Sequence, residues 1–345
     1  MSLTTLSYYV RKALPFVIIV FVILGIFYFS FVLVILNNRQ HSIVLNTVFG
    51  KIKRPTVQNK LPFPQNPQFT LDNIEGKPIT ATAAGQVFFV PPPKTKFGYL
   101  ETIYLMAKSV EFDTAVDNHN LNNKVATFSN NSQTLSVDIA NFNFEYETDY
   151  NINTSFFENP KVPDQNTVEQ DAKEFLDKIG RYPDDLRQGT VNVIYLAHTT
   201  GSKDFTVVRN SREADVVEID FFRPEVDDYP IVSPRYFNSQ NFVVLTYPDG
   251  KPKIIKAQIH HFEKDTATVG AYPLITGDEA WAQFSIGKGQ IIANQNPTSV
   301  IRITDMYLGY LDIEKYQPYI QPIYVFLGEN NFVGWIEAIK LESFK

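Results

Sequence analysis

IRITDMYLGYLDIEKYQPYIQPIYVFLGENNFVGWIEAI, residues 301–339, decides the class of the fold. Three strand-like runs rich in β-branched and aromatic residues follow one another here: Ser299–Leu311, Ile320–Leu327 and Phe332–Lys340. Gly328-Glu329-Asn330-Asn331 separates the last two and carries residue types that tolerate a tight turn. Strands joined by tight turns pair antiparallel. Tyr307, Tyr310, Tyr316, Tyr319, Tyr324 and Trp335 crowd the same stretch. Such rings either stiffen a small sheet by cross-strand packing or line a groove for a peptide or glycan. The candidate binding residues are therefore Tyr307, Tyr310, Tyr319, Tyr324 and Trp335.

Upstream, helical and strand periods alternate. Gly98–Val110 places Leu100, Ile103, Tyr104, Ala107 and Val110 on one face, and Thr167–Ile179 does the same with Val168, Ala172, Phe175, Leu176 and Ile179. Thr167 with Gln170 predicts a capping box for the second helix, and Gly180 predicts its stop. Thr276 with Glu279 predicts another box, opening a helix around Ala280–Phe284 that stops near Gly287. Strand-like runs follow each helix: Val125–Phe128 and Thr134–Thr148; then Val191–Ala197, Phe205–Val208, Asp215–Phe222, Phe242–Tyr247 and Lys253–Phe262; then the C-terminal runs. One helix covers one face of a small sheet, so the expected class is α+β, built of repeated helix-on-antiparallel-sheet units. The expected boundaries are 81–155 for the first unit and 156–345 for two tandem units, divided near 270 (about 160–270 and 271–345).

The N-terminal part is different in kind. Phe16 to Leu36 reads FVIIVFVILGIFYFSFVLVIL, without a charge. As a helix it extends roughly 31 Å, matching the hydrocarbon core of a bilayer. The run exceeds a signal-peptide core and no small-residue cleavage site follows, so an uncleaved anchor is expected. The expected topology is a short tail, 1–15, in the cytoplasm, a single membrane span over 16–36 and everything beyond on the extracytoplasmic side of the cell membrane. Residues 37–80 carry Pro55, Pro62, Pro64, Pro67 and Pro78 and predict an extended stalk. Pro91-Pro92-Pro93 predicts a further rigid turn.

The mean hydropathy of -0.14 over 345 residues averages these unlike parts. With Arg11 and Lys12 set aside, the formal charge of -6 becomes -8 for the exported part. An acidic surface excludes nucleic acid as a partner. The absence of cysteine excludes thiolate metal centres, a cysteine nucleophile and disulfide staples.

Motifs for chemistry are sparse. No G-x-S-x-G elbow accompanies the histidines His41, His119, His198, His260 and His261. Adjacent His260 and His261 on a strand point to opposite faces and cannot share one metal, whereas His261 and Glu263 fall on one face. Glu218 and Asp220 share a strand face and are the one candidate carboxylate pair, with Arg223 as a nearby counter-ion. Asp227-Asp228 reads as a turn. Gly287-Lys288-Gly289 follows a helix and lacks phosphate-loop spacing. The sequons at Asn130 and Asn153 mark exposed loops. No metal site, cofactor or catalytic residue is expected.

AYPLITGDEAWAQFSIGKGQII (271–292) resembles the helix-opening segment of extracytoplasmic PepSY-like domains. EIDFFRPEVDDYPIV (218–232) is similar to their strand and turn, and 301–339 to their final hairpin. The YycH/YycI regulators of a cell-wall histidine kinase have a comparable anchor followed by such units. Residues 45–79 resemble the stalks of uncharacterised single-span membrane proteins of reduced-genome bacteria. One departure is Asp227-Asp228, where the family's turn usually has glycine. The resemblance implies a membrane-anchored regulatory or scaffold protein that acts on a membrane or envelope protein partner without catalysis. A cell-surface peptide-, glycan- or small-ligand-binding module is the alternative. An envelope hydrolase using Glu218 and Asp220 is the third.

Overall fold

The computed structural model describes residues 14, 19–32, 44–58, 60–64, 67–79, 82–150, 154–199, 205–295 and 300–345. The chain divides into two units, 1–44 and 45–345. In the first, residues 19–32 are helical and their apolar side chains are exposed, Phe21 and Phe27 by 70% and 71%. Among the described residues no helix is long and apolar enough to cross a membrane. Phe16, Leu36 and His41 lie outside the described residues, as does the predicted tail apart from Leu14.

The second unit begins with β1 (Gln68–Leu71), β2 (Ala84–Phe89), α1 (Tyr99–Ser109), β3 (Asn118–Leu121), β4 (Val125–Ser129), β5 (Gln133–Asp138) and β6 (Phe144–Thr148). It continues through α2 (Gln165–Lys178), α3 (Asp184–Gln188), β7 (Val191–His198), β8 (Phe205–Val207), β9 (Val216–Phe221), β10 (Ile231–Val232), β11 (Phe242–Thr246), β12 (Lys253–Ile259) and β13 (Asp265–Pro273). It ends with α4 (Gly277–Ser285), β14 (Gln290–Ala293), β15 (Val300–Leu311), β16 (Tyr319–Ile320), β17 (Pro322–Gly328) and β18 (Phe332–Glu337). The fold is mixed α+β with three sheets among the described residues. The largest has the order β3-β4-β5-β6-β12-β11-β9-β7-β8. The second runs β1-β15-β17-β18-β14 with β10 beside β15, and the third is β13-β2-β16.

Four expectations change. The nine-stranded sheet crosses the boundary expected at 155/156, because β6 pairs with β12 through Phe144↔Ile259 and Tyr146↔Ala257. Helices α1 and α2 then share one sheet face instead of covering a sheet each: Ile103, Ala107, Val168, Ala172 and Leu176 enter one core with Val137, Ile219 and Val243. The described part of the predicted stalk is also no spacer. Asn46 bridges Ala271, Ile52 bridges Phe344, Leu61 bridges Ile291, and β1 pairs in parallel with β15. Proline removes donors but not packing, and Ile52, Phe63 and Phe69 dock into the C-terminal core. Finally, α2 starts two residues before the expected box: Asp164 is its cap, accepting from the Asn166 and Thr167 backbone N–H groups. The Thr276–Glu279 box on α4 is present as expected.

Side-chain alternation divides the nine-stranded sheet into a helix-covered face and an opposite one, on which Leu196, Val216, Phe242 and Val244 build a smaller apolar cluster beside polar side chains. On this second face one cross-strand row reads Ser136, Glu145, Gln258, Phe242, Asp220 and Asn192, drawn from β5, β6, β12, β11, β9 and β7. This row places the polar side chains considered below.

The 226–229 hairpin turn explains the missing glycine. Val226 and Tyr229 exchange both backbone hydrogen bonds, and Asp227 and Asp228 both take positive φ, 53° and 65°. A two-residue hairpin favours this conformation, and aspartate is among the few side chains that tolerate it.

In the second sheet, the Phe284 ring of α4 stacks on Phe326 at 4.1 Å and lies over two glycines. A Cβ at Gly334 would stand 2.3 Å from Phe284 Cζ, and one at Gly289 2.4 Å from Cδ2. Urea unfolding should therefore show Phe284→Ala costing about 3–5 kcal/mol and Gly334→Ala about 1–3 kcal/mol. The double variant should cost less than the sum, since the new methyl then enters the space the ring has left.

Candidate functional site

The aromatic residues singled out in the sequence are mostly packed into cores and are not gathered on one exposed face. Tyr310, Tyr324 and Trp335 are buried, and Tyr307 and Tyr319 are half-buried. The β15–β17–β18 sheet has a core on each face: Tyr324 packs with Phe284 and Phe326 on one, Trp335 with Val232 and Leu311 on the other. The hydroxyls are spent internally, Tyr324 donating to the Ile275 carbonyl at 2.7 Å and Tyr307 to the Tyr236 hydroxyl at 3.2 Å. The Tyr319 ring packs on Phe49. The crowded rings pack into the cores on both faces of this sheet. Alternation alone does not say whether a sheet is covered once or twice.

Glu218 and Asp220 do share one strand face, with Glu218 half-buried and Asp220 out of solvent. Asp220 is fully buried, and among the described residues neither carboxyl oxygen has a well-aligned hydrogen bond, although the Ser239 backbone N–H and the Asn238 amide lie close enough to favour its charge in part. Burial, and then the charge of Glu218, push its pKa up to about 8. Burial raises Glu218 too, although it accepts from Asn238 Nδ2 at 3.3 Å. The pair holds a proton at neutral pH.

Arg223 pairs elsewhere than expected. Its side chain is 0% exposed. Nη1 donates to Asp312 Oδ1 at 3.0 Å and to the Phe262 carbonyl at 3.1 Å, while Nη2 lies 2.9 Å from Asp185 Oδ2. His261 Nε2 stands 2.6 Å from the other Asp185 oxygen, a close contact without hydrogen-bond alignment. Burial would raise the Asp185 carboxyl, but the His261 contact and the Arg223 charge outweigh it and hold it far below the usual range. Burial lowers His261, so the imidazole is neutral beside the ionised pair. Gln240 Nε2 completes the cluster, donating to Asp312 Oδ2 at 2.8 Å.

A cleft of about 520 Å³ opens beside this cluster, between the β5, β6 and β12 ends of the large sheet and residues 314–316. His260 and His261 point apart, as adjacent residues at a strand end should: His261 enters the buried cluster and His260 lines the cleft. His260 Nε2 lies 3.0 Å from Glu145 Oε1, and this contact holds Glu145 below the ordinary carboxylate range. Ser136 lines the same cleft directly opposite Glu145 in the strand register. Asp138 stands at the next turn, where its Oδ1 accepts from the Ala140 and Asn141 backbone N–H groups. Glu314 faces Arg235 at 3.0 Å. Phe262 and Tyr316, with ring centroids 6.1 Å apart, form one wall with Pro93.

Asn143 joins cleft to cluster. Its Oδ1 accepts from Arg181 Nη2 at 2.9 Å and from the His261 backbone N–H at 3.1 Å. Both partners only donate here, so the amide orientation is forced: oxygen inward, Nδ2 toward the cleft. The sequence pointed to His260 through the His-His doublet. Asn143 and Glu145 carried no local signal, because cross-strand pairing brings them in.

Among the described residues no group of His, Asp and Glu side chains could hold a metal ion. His198 stacks on Phe157 at 4.1 Å, Gly287-Lys288-Gly289 closes α4, and the Asn130 side chain folds into a turn by accepting from Ser132 N–H. Asn153 lies outside the described residues.

Two measurements check these electrostatics. Below the unfolded carboxyl value near about 4, Asp220 is protonated in both states and contributes nothing to pH dependence. Between there and about 8 only the folded protein holds the proton, so stability falls as pH rises. The loss is up to about 1.4 kcal/mol per pH unit. Asp220→Asn should flatten this part of the profile and exceed the parent in stability at pH 8 in denaturant titrations. Asp312→Ala should cost about 3–5 kcal/mol at pH 7 in the same assay, because it leaves Arg223 buried with one partner fewer.

No known protein-family model matches the chain, and no curated protein sequence matches it. Among solved structures the chain is similar to an uncharacterized protein from Eubacterium rectale ATCC 33656. The two are 11% identical, with a TM-score of 0.34, over 82% of this chain and 92% of that one. A likeness at that distance assigns no family.

Proposed function

We propose that the chain is a single-pass, membrane-anchored extracytoplasmic module, PepSY-like in kind, that acts as a regulator or scaffold by binding a protein partner and not by catalysis. The uncharged run from Phe16 to Leu36 carries this reading. Its described part is a helix with large apolar side chains turned outward all around, among them Phe21, Ile23, Phe27 and Phe29. A bilayer is the environment that suits such a surface, since each exposed Å² of it costs about 25 cal/mol in water. The acidic remainder, at -8, suits a soluble domain that stays off anionic lipid.

The described carboxylates suit a binding role better than a catalytic one. Asp220 is buried away from substrate with Glu218 half-buried beside it, and among the described residues the Glu145–His260 contact has no nucleophile hydrogen-bonded to it. The full chain expressed in a bacterial host should stay in the membrane pellet after alkaline carbonate washing, and a chain lacking 16–36 should not. Protease added to spheroplasts should cut residues beyond 44. Purification from solubilised membranes of the native cell should bring down one partner in near-stoichiometric amount. Release of the full chain by carbonate overturns the anchor, and recovery without a partner overturns the scaffold.

A further inference from the structure

We propose that the 520 Å³ cleft between the ends of β5, β6 and β12 and residues 314–316 binds a neutral carbohydrate chain. The volume falls in the range of small-ligand sites, about 300–1,000 Å³. Three observations select the ligand class. First, the cleft offers unpaired acceptors: the second oxygens of Asp138 and Glu145 take no hydrogen bond among the described residues, their first oxygens being engaged by the turn and by His260. Second, it offers a forced donor. Asn143 is 6% exposed, yet its Nδ2 has no partner among the described residues, because Arg181 and the His261 backbone hold the oxygen on the buried side. Third, the neighbouring wall is aromatic, with Phe262 half-buried and the Tyr316 side chain exposed on the connection between β15 and β16.

Donors and acceptors set close together beside a ring face suit sugar hydroxyls, each of which gives and takes a hydrogen bond, and the C–H face of a pyranose that packs on an aromatic ring. Charge narrows the class. The lining carries Asp138, Glu145 and Glu314 against Lys315, so the cleft opposes acidic sugars and other anions. A basic peptide would satisfy the carboxylates, but it would leave the Asn143 donor facing a cation. The inference does not rest on the anchored-scaffold reading, since the site belongs to the 45–345 unit alone.

The test uses the full chain in a detergent without a sugar head group. Saturation-transfer difference NMR and calorimetry would be run with maltotriose, cellotriose and N,N′-diacetylchitobiose, with trigalacturonate and tetralysine as charged comparators. At least one neutral saccharide should bind, and trigalacturonate should not. Tyr316→Ala should weaken that binding about tenfold, equivalent to about 1.4 kcal/mol. Tyr316→Phe should retain most of it, because the ring face remains. Lys178→Ala, on α2 and outside the cleft, should change nothing. Thermal melts of each variant, matched to the parent, separate lost binding from lost folding. The proposal is overturned if none of the three saccharides binds, if folded Tyr316→Ala binds as well as the parent, or if tetralysine binds in their place. Loss of the membrane anchor or of a protein partner would leave these results unchanged.

Discussion

Arg223 is the point on which the two large sheets depend. It leaves the end of β9 with its guanidinium stripped of water, and it is held by carboxylates from opposite sides: Asp185 on α3 and Asp312 past the end of β15. Burying a cation is costly and is tolerable only when its partners are fixed. Much of the surrounding structure is that fixing. Gln240 holds Asp312, His261 sits against Asp185, and the Phe262 carbonyl takes a further guanidinium proton. A hydrophobic contact at this junction would allow the sheets to slide; a guanidinium fork with two assigned carboxylates defines one register between them. The effect reaches the cleft, since the His261 backbone orients Asn143 and Asn143 presents its amide outward.

Local features of the fold were legible in the sequence. The runs predicted at 299–311, 320–327 and 332–340 contain β15, β17 up to Leu327 and β18, strands of one sheet, although Ile320 pairs in another, and the Thr276–Glu279 box opens a helix as read. These depend on neighbours within a few residues, where propensity and period carry information. What was not legible depends on distant partners. β1 and β10 pair in parallel with β15, and so short a strand has no sequence signature apart from its partner. β2 is an apolar run that joins neither large sheet but bridges β13 and β16. The merging of two expected units rests on the single β6–β12 pairing, and no periodicity distinguishes an open edge from a paired one.

The candidate site was legible only in fragments. The opposite orientation of His260 and His261 followed from the strand period, and so did the common face of Glu218 and Asp220. Their environments did not. The partners of Arg223 lie 38 residues upstream and 89 downstream, while the nearer Glu218 and Asp220 were the obvious and incorrect candidates. The aromatic C-terminal strands illustrate the same limit: rings that would serve in a groove serve equally in a sheet covered on both faces.

The stitching of residues 46–71 to the C-terminal sheet has a consequence for the order in which the molecule can form. Ile52 receives a hydrogen bond from the Lys345 backbone and gives one to Ser343, and β1 waits for β15 more than two hundred residues later. The segment just beyond the apolar helix therefore waits for its strand partners until more than two hundred further residues have been made. Closing so long a loop is slow, and the waiting segment carries bare apolar side chains meanwhile. Vectorial folding is available to the nine-stranded sheet, whose strands all lie between 118 and 259, but not to the sheet in which β1 pairs with β15. A cell producing this protein has to shelter this segment from proteases and from self-association until its distant partner strands arrive.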